Sequence, residues 1–196
     1  RTFSPQSGIE LKRAIYACLK QSVKRDCSQS VYGPIGTWDV SRVIDMNSLL
    51  AGRPLFNGDI SKWDVSHVAD MSYIYWGASS FKGDISSWDV SSVRSMQHMF
   101  HRAASFDGDI SQWDVSNAID MSYMFFYAVA FNSDISKWDV SSVTVLPSMF
   151  QGAISIKSDI SKWDVSSVTD MARMFSYVKA FSSDISKWDV SRVVDI

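Results

Sequence analysis

The side chains with the clearest capacity for chemistry are aspartates, which recur at fixed spacing. Thirteen of the twenty aspartates fall into two rows with a 25-residue interval. Hard cations such as calcium bind several carboxylate oxygens, so a stacked row is a candidate cation ladder. The candidate ladder consists of Asp39, Asp64, Asp89, Asp114, Asp139, Asp164 and Asp189. The second row consists of Asp59, Asp84, Asp109, Asp134, Asp159 and Asp184.

The aspartate rows have a second interpretation that involves no cation. Short polar side chains at turns accept hydrogen bonds from backbone amides or pair with nearby lysines. The chain contains neither a glycine-rich calcium-binding repeat nor an EF-hand loop. We therefore favour the turn interpretation and predict no metal site, with the cation ladder as the alternative.

The histidines, methionines and serines give no catalytic pattern. His67, His98 and His101 occupy unequal positions in different repeats and lack a standard metal-binding spacing. The methionines recur at the repeat interval, which is typical of core positions. No nucleophile motif between a strand and a helix accompanies the many serines. The sequence therefore predicts no catalytic residue, no cofactor and no enzymatic activity.

Cys18 and Cys27 are the two cysteines of the chain, and both precede the repeats. A disulfide between them would close a short loop and would favour an oxidising compartment. Two buried thiols are the alternative, and the sequence leaves both open.

The elements that must position these side chains come from one repeated unit. Between Ile60 and Val65, alternation places Trp63 and Val65 on one face, as in a strand. The apolar residues that follow have helical spacing and predict a helix. They are Val68, Met71, Ile74, Tyr75 and Ala78. The unit recurs every 25 residues at Trp38, Trp63, Trp88, Trp113, Trp138, Trp163 and Trp188.

The sequence thus predicts an α/β fold, a leucine-rich-repeat-like solenoid of about seven 25-residue strand-helix coils. Residues 1–30 do not repeat, and their amphipathic pattern predicts an N-terminal helical cap. Residues 31–196 form the predicted solenoid. The last unit stops eight residues after Trp188, so we expect its end to be truncated or covered by a partner chain.

Charge and hydropathy argue against nucleic acid as a partner and against a membrane-spanning segment. The net charge is −2 and the basic residues are scattered along the sequence. The sequence therefore predicts no basic patch that would bind nucleic acid. No run of eighteen apolar residues exists, so no transmembrane segment is predicted. A content of 46% hydrophobic residues is enough for a packed core.

Aromatic residues that break the repeat are the best candidates for partner contacts, because the common packing scheme does not require them. On the outer face of the predicted helices they would form an apolar patch of the kind that binds proteins. Packing against neighbouring helices is the alternative. The aromatics that break the repeat are Tyr73, Trp76, Tyr123, Phe126, Tyr127 and Tyr177. The first five are the candidates for partner binding.

The segment WDVSSVTDM, the Phe-x-x-Asp-Ile-Ser turn and the 25-residue period carry a family resemblance. They resemble the BspA-like leucine-rich-repeat surface proteins, also described as a Mycoplasma-type surface-lipoprotein repeat of unknown function. The resemblance covers residues 31–196, with local departures at 95, 145–147 and 156. It implies adhesion or protein binding at a cell surface and supplies no catalytic residues.

The function predicted from the sequence is a non-catalytic repeat scaffold for protein-protein binding or adhesion, secreted or at the cell surface. The alternative is an accessory structural subunit of a larger multiprotein assembly inside the cell or an organelle. The identity of the protein partner does not follow from the sequence.

Overall fold

The computed structural model describes residues 2–21 and 27–195, so parts of the predicted cap and the final residue lie outside the described residues. One α-helix, α1, spans Gly8–Gln21. It forms because Leu11, Ile15 and Cys18 lie on one face and are fully buried. The hydroxyl of Ser7 accepts a hydrogen bond from the backbone N–H of Glu10 at 3.2 Å, which caps the first turn.

A disulfide fastens the segment after α1. It joins Cys18, near the end of the helix, to Cys27, with the two Cα atoms 5.2 Å apart. Both cysteines are buried against the first repeat. A short 3-10 helix at Ile35–Thr37 then leads into the repeated region.

Each 25-residue unit is a succession of tight turns. In the unit around Trp63, backbone N–H groups donate to the carbonyl three residues earlier, as from Trp63 to Ile60 at 3.1 Å and from Val68 to Val65 at 2.9 Å. The same pattern continues from Trp76 to Tyr73 at 3.0 Å. These bonds use donors that a β-ladder would otherwise need.

The backbone N–H groups that are not used within the turns donate to carbonyl groups of the next unit, and these bonds hold the stack of units together. The N–H of Tyr73 donates to the carbonyl of Gln97 at 2.8 Å, and that of Gly77 donates to the carbonyl of His101 at 2.8 Å. Isolated parallel bridges join successive units at residues 45, 70, 95, 120, 145, 170 and 195. Along residues 73–77, backbone N–H groups therefore alternate between donors to the next unit and donors within their own unit.

Two left-handed backbone positions per unit prevent a helix. Tyr73 has a φ of 59° and Gly77 has a φ of 69°, and such residues end a helical turn. The first position recurs as Ser48, Tyr73, His98, Tyr123, Ser148 and Arg173. The second recurs as Gly52, Gly77, Arg102, Tyr127, Gly152 and Tyr177.

The predicted α/β fold is therefore wrong. Apart from α1 and the 3-10 helix at Ile35–Thr37, residues 2–21 and 27–195 contain no helix, and single bridges take the place of strands. The units are not strand-helix coils, and the chain lacks the regular secondary structure of a leucine-rich-repeat solenoid. The physical reason is the pair of left-handed positions, together with turn bonds that occupy the donors a strand would share.

The repeated tryptophans lie in the core between units. Trp63 is 3% exposed, and its indole N–H donates to the carbonyl of Ile35, in the preceding unit, at 2.9 Å. The five later tryptophans make the same bond to the isoleucine 28 residues earlier at 3.1–3.3 Å. Burying one indole contributes about 4–6 kcal/mol as an upper bound. This contact joins the units.

No helix in the described part of the chain is both long enough and apolar enough to cross a bilayer.

Candidate functional site

The five candidate aromatic residues come together across three consecutive units, and two histidines lie among them. Tyr177, which also departs from the repeat, lies outside this cluster. Tyr73 and Trp76 belong to one unit, and Tyr123, Phe126 and Tyr127 lie two units later. The unit between them supplies the histidines. We define the aromatic-histidine surface as Tyr73, Trp76, His98, His101, Tyr123, Phe126 and Tyr127. These residues lie on turns, so their predicted placement on a helical face is wrong.

The rings form two stacked columns. In the first column the His98 imidazole lies between Tyr73 and Tyr123, with ring centroids 4.6 Å away on each side and interplanar angles of 12° and 3°. In the second, His101 lies 4.5 Å from Phe126 and 5.9 Å from Trp76. Each column repeats one position of the unit, so stacking follows from the 25-residue interval.

Further ring contacts join the two columns. The centroids of Tyr123 and Phe126 are 5.7 Å apart, and those of His98 and His101 are 4.9 Å apart. Tyr127 adds a T-shaped contact with Phe126 at 4.8 Å. Aromatic pairs at such distances are worth about 0.5–1.5 kcal/mol each beyond area burial. The surface is therefore a connected cluster with restricted rotamers.

Part of this cluster remains open to solvent. Trp76 is 39% exposed and Tyr127 is 38% exposed, whereas Tyr73, Tyr123 and Phe126 are half-buried. The half-buried rings pack against neighbouring units, and partner contact through the exposed rings stays a prediction.

Tyr127 occupies a position that glycine fills in three other units. Its φ is 51°, a conformation that is costly for a residue with a Cβ. Its ring covers Gly152 of the next unit, where an added Cβ would lie 2.8 Å from the tyrosine ring. Every unit that extends to the equivalent position adopts this conformation there, so the side chain, not the backbone, distinguishes Tyr127.

The two histidines form a hydrogen-bonded pair. The Nδ1 atoms of His98 and His101 are 2.9 Å apart, so one ring donates and the other accepts. Burial lowers the pKa of His98, with an opposing effect of Asp120. Burial, then His98 and Arg102, lowers the pKa of His101 to about 4. Both rings are therefore neutral near pH 7.

The sequence analysis does not predict this pair, because the three histidines occupy unequal places in their units. The pattern that would have identified the pair is positional. His98 and His101 are three residues apart and occupy the same unit positions as Tyr73 and Trp76. His67 lies apart from them and is exposed.

The aspartates of the candidate ladder accept hydrogen bonds from the turn that each of them begins. The carboxylate of Asp64 accepts from the backbone N–H of Ser66 at 3.1 Å and from its hydroxyl at 2.6 Å. The other six accept the same backbone bond, from the serine two residues on, at 3.0–3.2 Å. The serine hydroxyl and backbone bonds lower the pKa of the Asp64 carboxyl. Among the described residues, no three His, Cys, Asp or Glu side chains form a group that could hold a metal ion.

Comparison with known proteins identifies the family. Two overlapping segments, residues 19–134 and 108–196, match the family model described as "Mycoplasma protein of unknown function, DUF285". No curated protein and no solved structure matches the chain significantly. Because the two matches together cover the repeats and the end of α1, the chain belongs to this Mycoplasma-type family of unknown function.

Proposed function

We propose that the chain is a non-catalytic repeat scaffold that binds a protein partner through the aromatic-histidine surface. The observation that carries this proposal is the ring cluster spanning three units, with Trp76 and Tyr127 each more than one third exposed. The repeats themselves need none of these rings at the turn positions, since other units carry serine or glycine there.

The composition of the surface favours protein recognition. Tryptophan and tyrosine are over-represented among the residues that dominate binding energy at interfaces. Their few rotatable bonds limit the entropy lost on binding, and stacking in the free chain has already restricted the rings. A partner that covers Trp76 and Tyr127 would therefore bury large apolar rings with little reorganisation.

The disulfide supports a location outside the reducing cytosol. Disulfides persist in oxidising compartments and are rare in cytosolic proteins, so the Cys18–Cys27 bridge favours a secreted or cell-surface protein. In this proposal the family relationship extends to the BspA-like surface proteins, and the binding serves adhesion.

The test compares the double variant Trp76→Ala/Tyr127→Ala with the single variant Tyr177→Ala. Tyr177 is the matched control because it occupies the same left-handed unit position as Tyr127 and is 71% exposed, but lies outside the cluster. Labelled chain is titrated onto intact cells of the source organism before and after protease treatment.

We expect saturable binding that protease treatment abolishes. The double variant should bind at least about tenfold more weakly, since two interface anchors each contribute more than about 1 kcal/mol, and the control should match the wild type. Binding that survives protease treatment, or a double variant that binds as well as the wild type, would contradict the proposal. Exclusive migration at high mass in native cell extract would favour the accessory-subunit alternative instead.

A further inference from the structure

We infer that His98 and His101 form a two-imidazole binding site for a divalent transition metal of tetragonal geometry, with Cu²⁺ as the best match. Imidazole nitrogens suit copper, nickel and zinc. The two Nδ1 atoms converge at 2.9 Å on a partly buried turn, and no other pair of histidines in the described chain forms such a contact. This inference is independent of partner binding.

The 2.9 Å separation is that of the hydrogen bond in the free pair, and it places both nitrogens within reach of one metal ion. Two nitrogens that each lie about 2.05 Å from a metal are about 2.9 Å apart when they subtend 90°, and about 3.3 Å apart at the tetrahedral angle. The observed 2.9 Å fits adjacent positions of a square-planar or tetragonal site. That geometry is typical of Cu²⁺ and Ni²⁺, and of the divalent first-row metals Cu²⁺ binds nitrogen ligands most strongly.

The surrounding structure holds both rings in place. The backbone N–H of His98 donates to the carbonyl of Ser122 at 2.8 Å, and that of His101 donates to the carbonyl of His98 at 3.2 Å. Tyr73 and Tyr123 enclose the His98 ring, and Phe126 stacks on the His101 ring. A metal therefore meets two ligands that have already lost most of their rotational freedom.

Metal binding requires a tautomer change in one ring of the pair. A metal needs the lone pair of each Nδ1, so the ring that donates in the free pair must move its proton to Nε2. No hydrogen bond in the described part of the chain uses either Nε2, so this tautomer change breaks only the His98–His101 bond.

The test uses phenylalanine variants that keep the ring stacks. His98→Phe and His101→Phe place an aromatic ring where the neighbouring units already carry Tyr123 and Phe126, so both variants should fold. His67→Gln is the control, because His67 is an exposed histidine outside the pair. CuCl2 alone is titrated into purified chain by calorimetry, and electron paramagnetic resonance counts the nitrogens bound to copper.

We expect one Cu²⁺ per chain with two imidazole nitrogens. Each phenylalanine variant should lose at least about tenfold in affinity, because removing even an outer-shell partner of a metal ligand costs about 10–100-fold. The control should keep its affinity within a factor of two. In the unmodified chain, Cu²⁺ should also broaden the nuclear magnetic resonance signals of both rings, a readout that needs no variant.

Equal copper affinity in the wild type and both phenylalanine variants would overturn the inference, as would a spectrum with a single nitrogen. Either outcome would leave the pair as a hydrogen bond that only orders the turn. Partner binding through Trp76 and Tyr127 is measured without metal, so failure of one proposal does not decide the other.

Discussion

Replacing Tyr75 by phenylalanine should stabilise the protein. Tyr75 is fully buried, and its hydroxyl has no hydrogen-bond partner. Its ring stacks on Phe81 at 4.0 Å and on Phe100 at 5.3 Å. The same position of the other units carries Leu50, Phe100, Phe125, Phe150 and Phe175. The hydroxyl is therefore the one polar group in an apolar stack.

The magnitude follows from the desolvation of that hydroxyl. A buried polar group without a partner costs about 1–3 kcal/mol, and the same burial raises the pKa of the Tyr75 phenol well above its ordinary value. Phenylalanine keeps the ring contacts and leaves a void smaller than a methyl group. We expect the free energy of unfolding to rise by about 1–2 kcal/mol. At about 2.1 cal/mol/K per residue, this raises the Tm by about 2–5 °C.

Urea unfolding followed by tryptophan fluorescence measures the change, and a matching thermal melt checks it. The reverse substitution Phe125→Tyr is the control and should lower stability by a similar amount, with an unchanged m-value in both variants. If Tyr75→Phe is as stable as the wild type or less stable, the hydroxyl has a favourable interaction and the reasoning is refuted.

Three further predictions follow from single sites. Arg102→Gly should raise the free energy of unfolding by about 0.5–1 kcal/mol in urea titrations, because it removes a Cβ from a residue with a φ of 56°. Reduction of the Cys18–Cys27 bridge should lower it by about 2–3 kcal/mol, measured by thermal melts with and without reductant. His101 has a pKa lowered from 6.5 to about 4, so the unfolded chain binds its proton first. Stability should be complete above about pH 6.5 and fall by about 1–2 kcal/mol as the pH drops to about 4, and His101→Phe should remove this part of the pH profile.

The sequence predicts which side chains are buried better than it predicts the backbone. Met71, Ile74 and Ala78 belong to the predicted inner face of the helix, and all three are buried although no helix exists. Trp63 and Val65 are buried as the strand alternation predicts. Turns that close every three residues place side chains inward at nearly the same spacing as a helix, so apolar periodicity does not distinguish the two.

The information that distinguishes them lies in a few polar and glycine positions. Gly77 would lie inside the predicted helix, where glycine costs about 1 kcal/mol relative to alanine. Gly52 and Gly152 recur at the same position. A glycine at a fixed place in several units indicates a left-handed turn. Arg102 and Tyr127 conceal that pattern, because they adopt the same conformation with a side chain.

The candidate site was partly predictable. The aromatics could be selected because they depart from the repeat, and the structure places Tyr73 and Trp76 beside Tyr123 and Phe126 through the histidine unit. The histidine pair itself required the turn geometry, because His98 and His101 belong to one unit and meet across a turn of three residues. Register between units explains the two columns instead, because equivalent positions of adjacent units lie over one another.

The first left-handed position shows why departures from the repeat are informative here. Its backbone bonds are the same whether the residue is Ser48 or Tyr73, whose N–H groups both donate to the following unit at 2.8 Å. The stack of units therefore tolerates side chains from serine to tyrosine at this place. Core positions do not have this freedom, because the tryptophans from Trp63 to Trp163 each fill the interior and donate to a carbonyl of the preceding unit. Aromatic and imidazole rings occupy this position in three successive units although folding does not require them there, and this supports the partner binding that we propose.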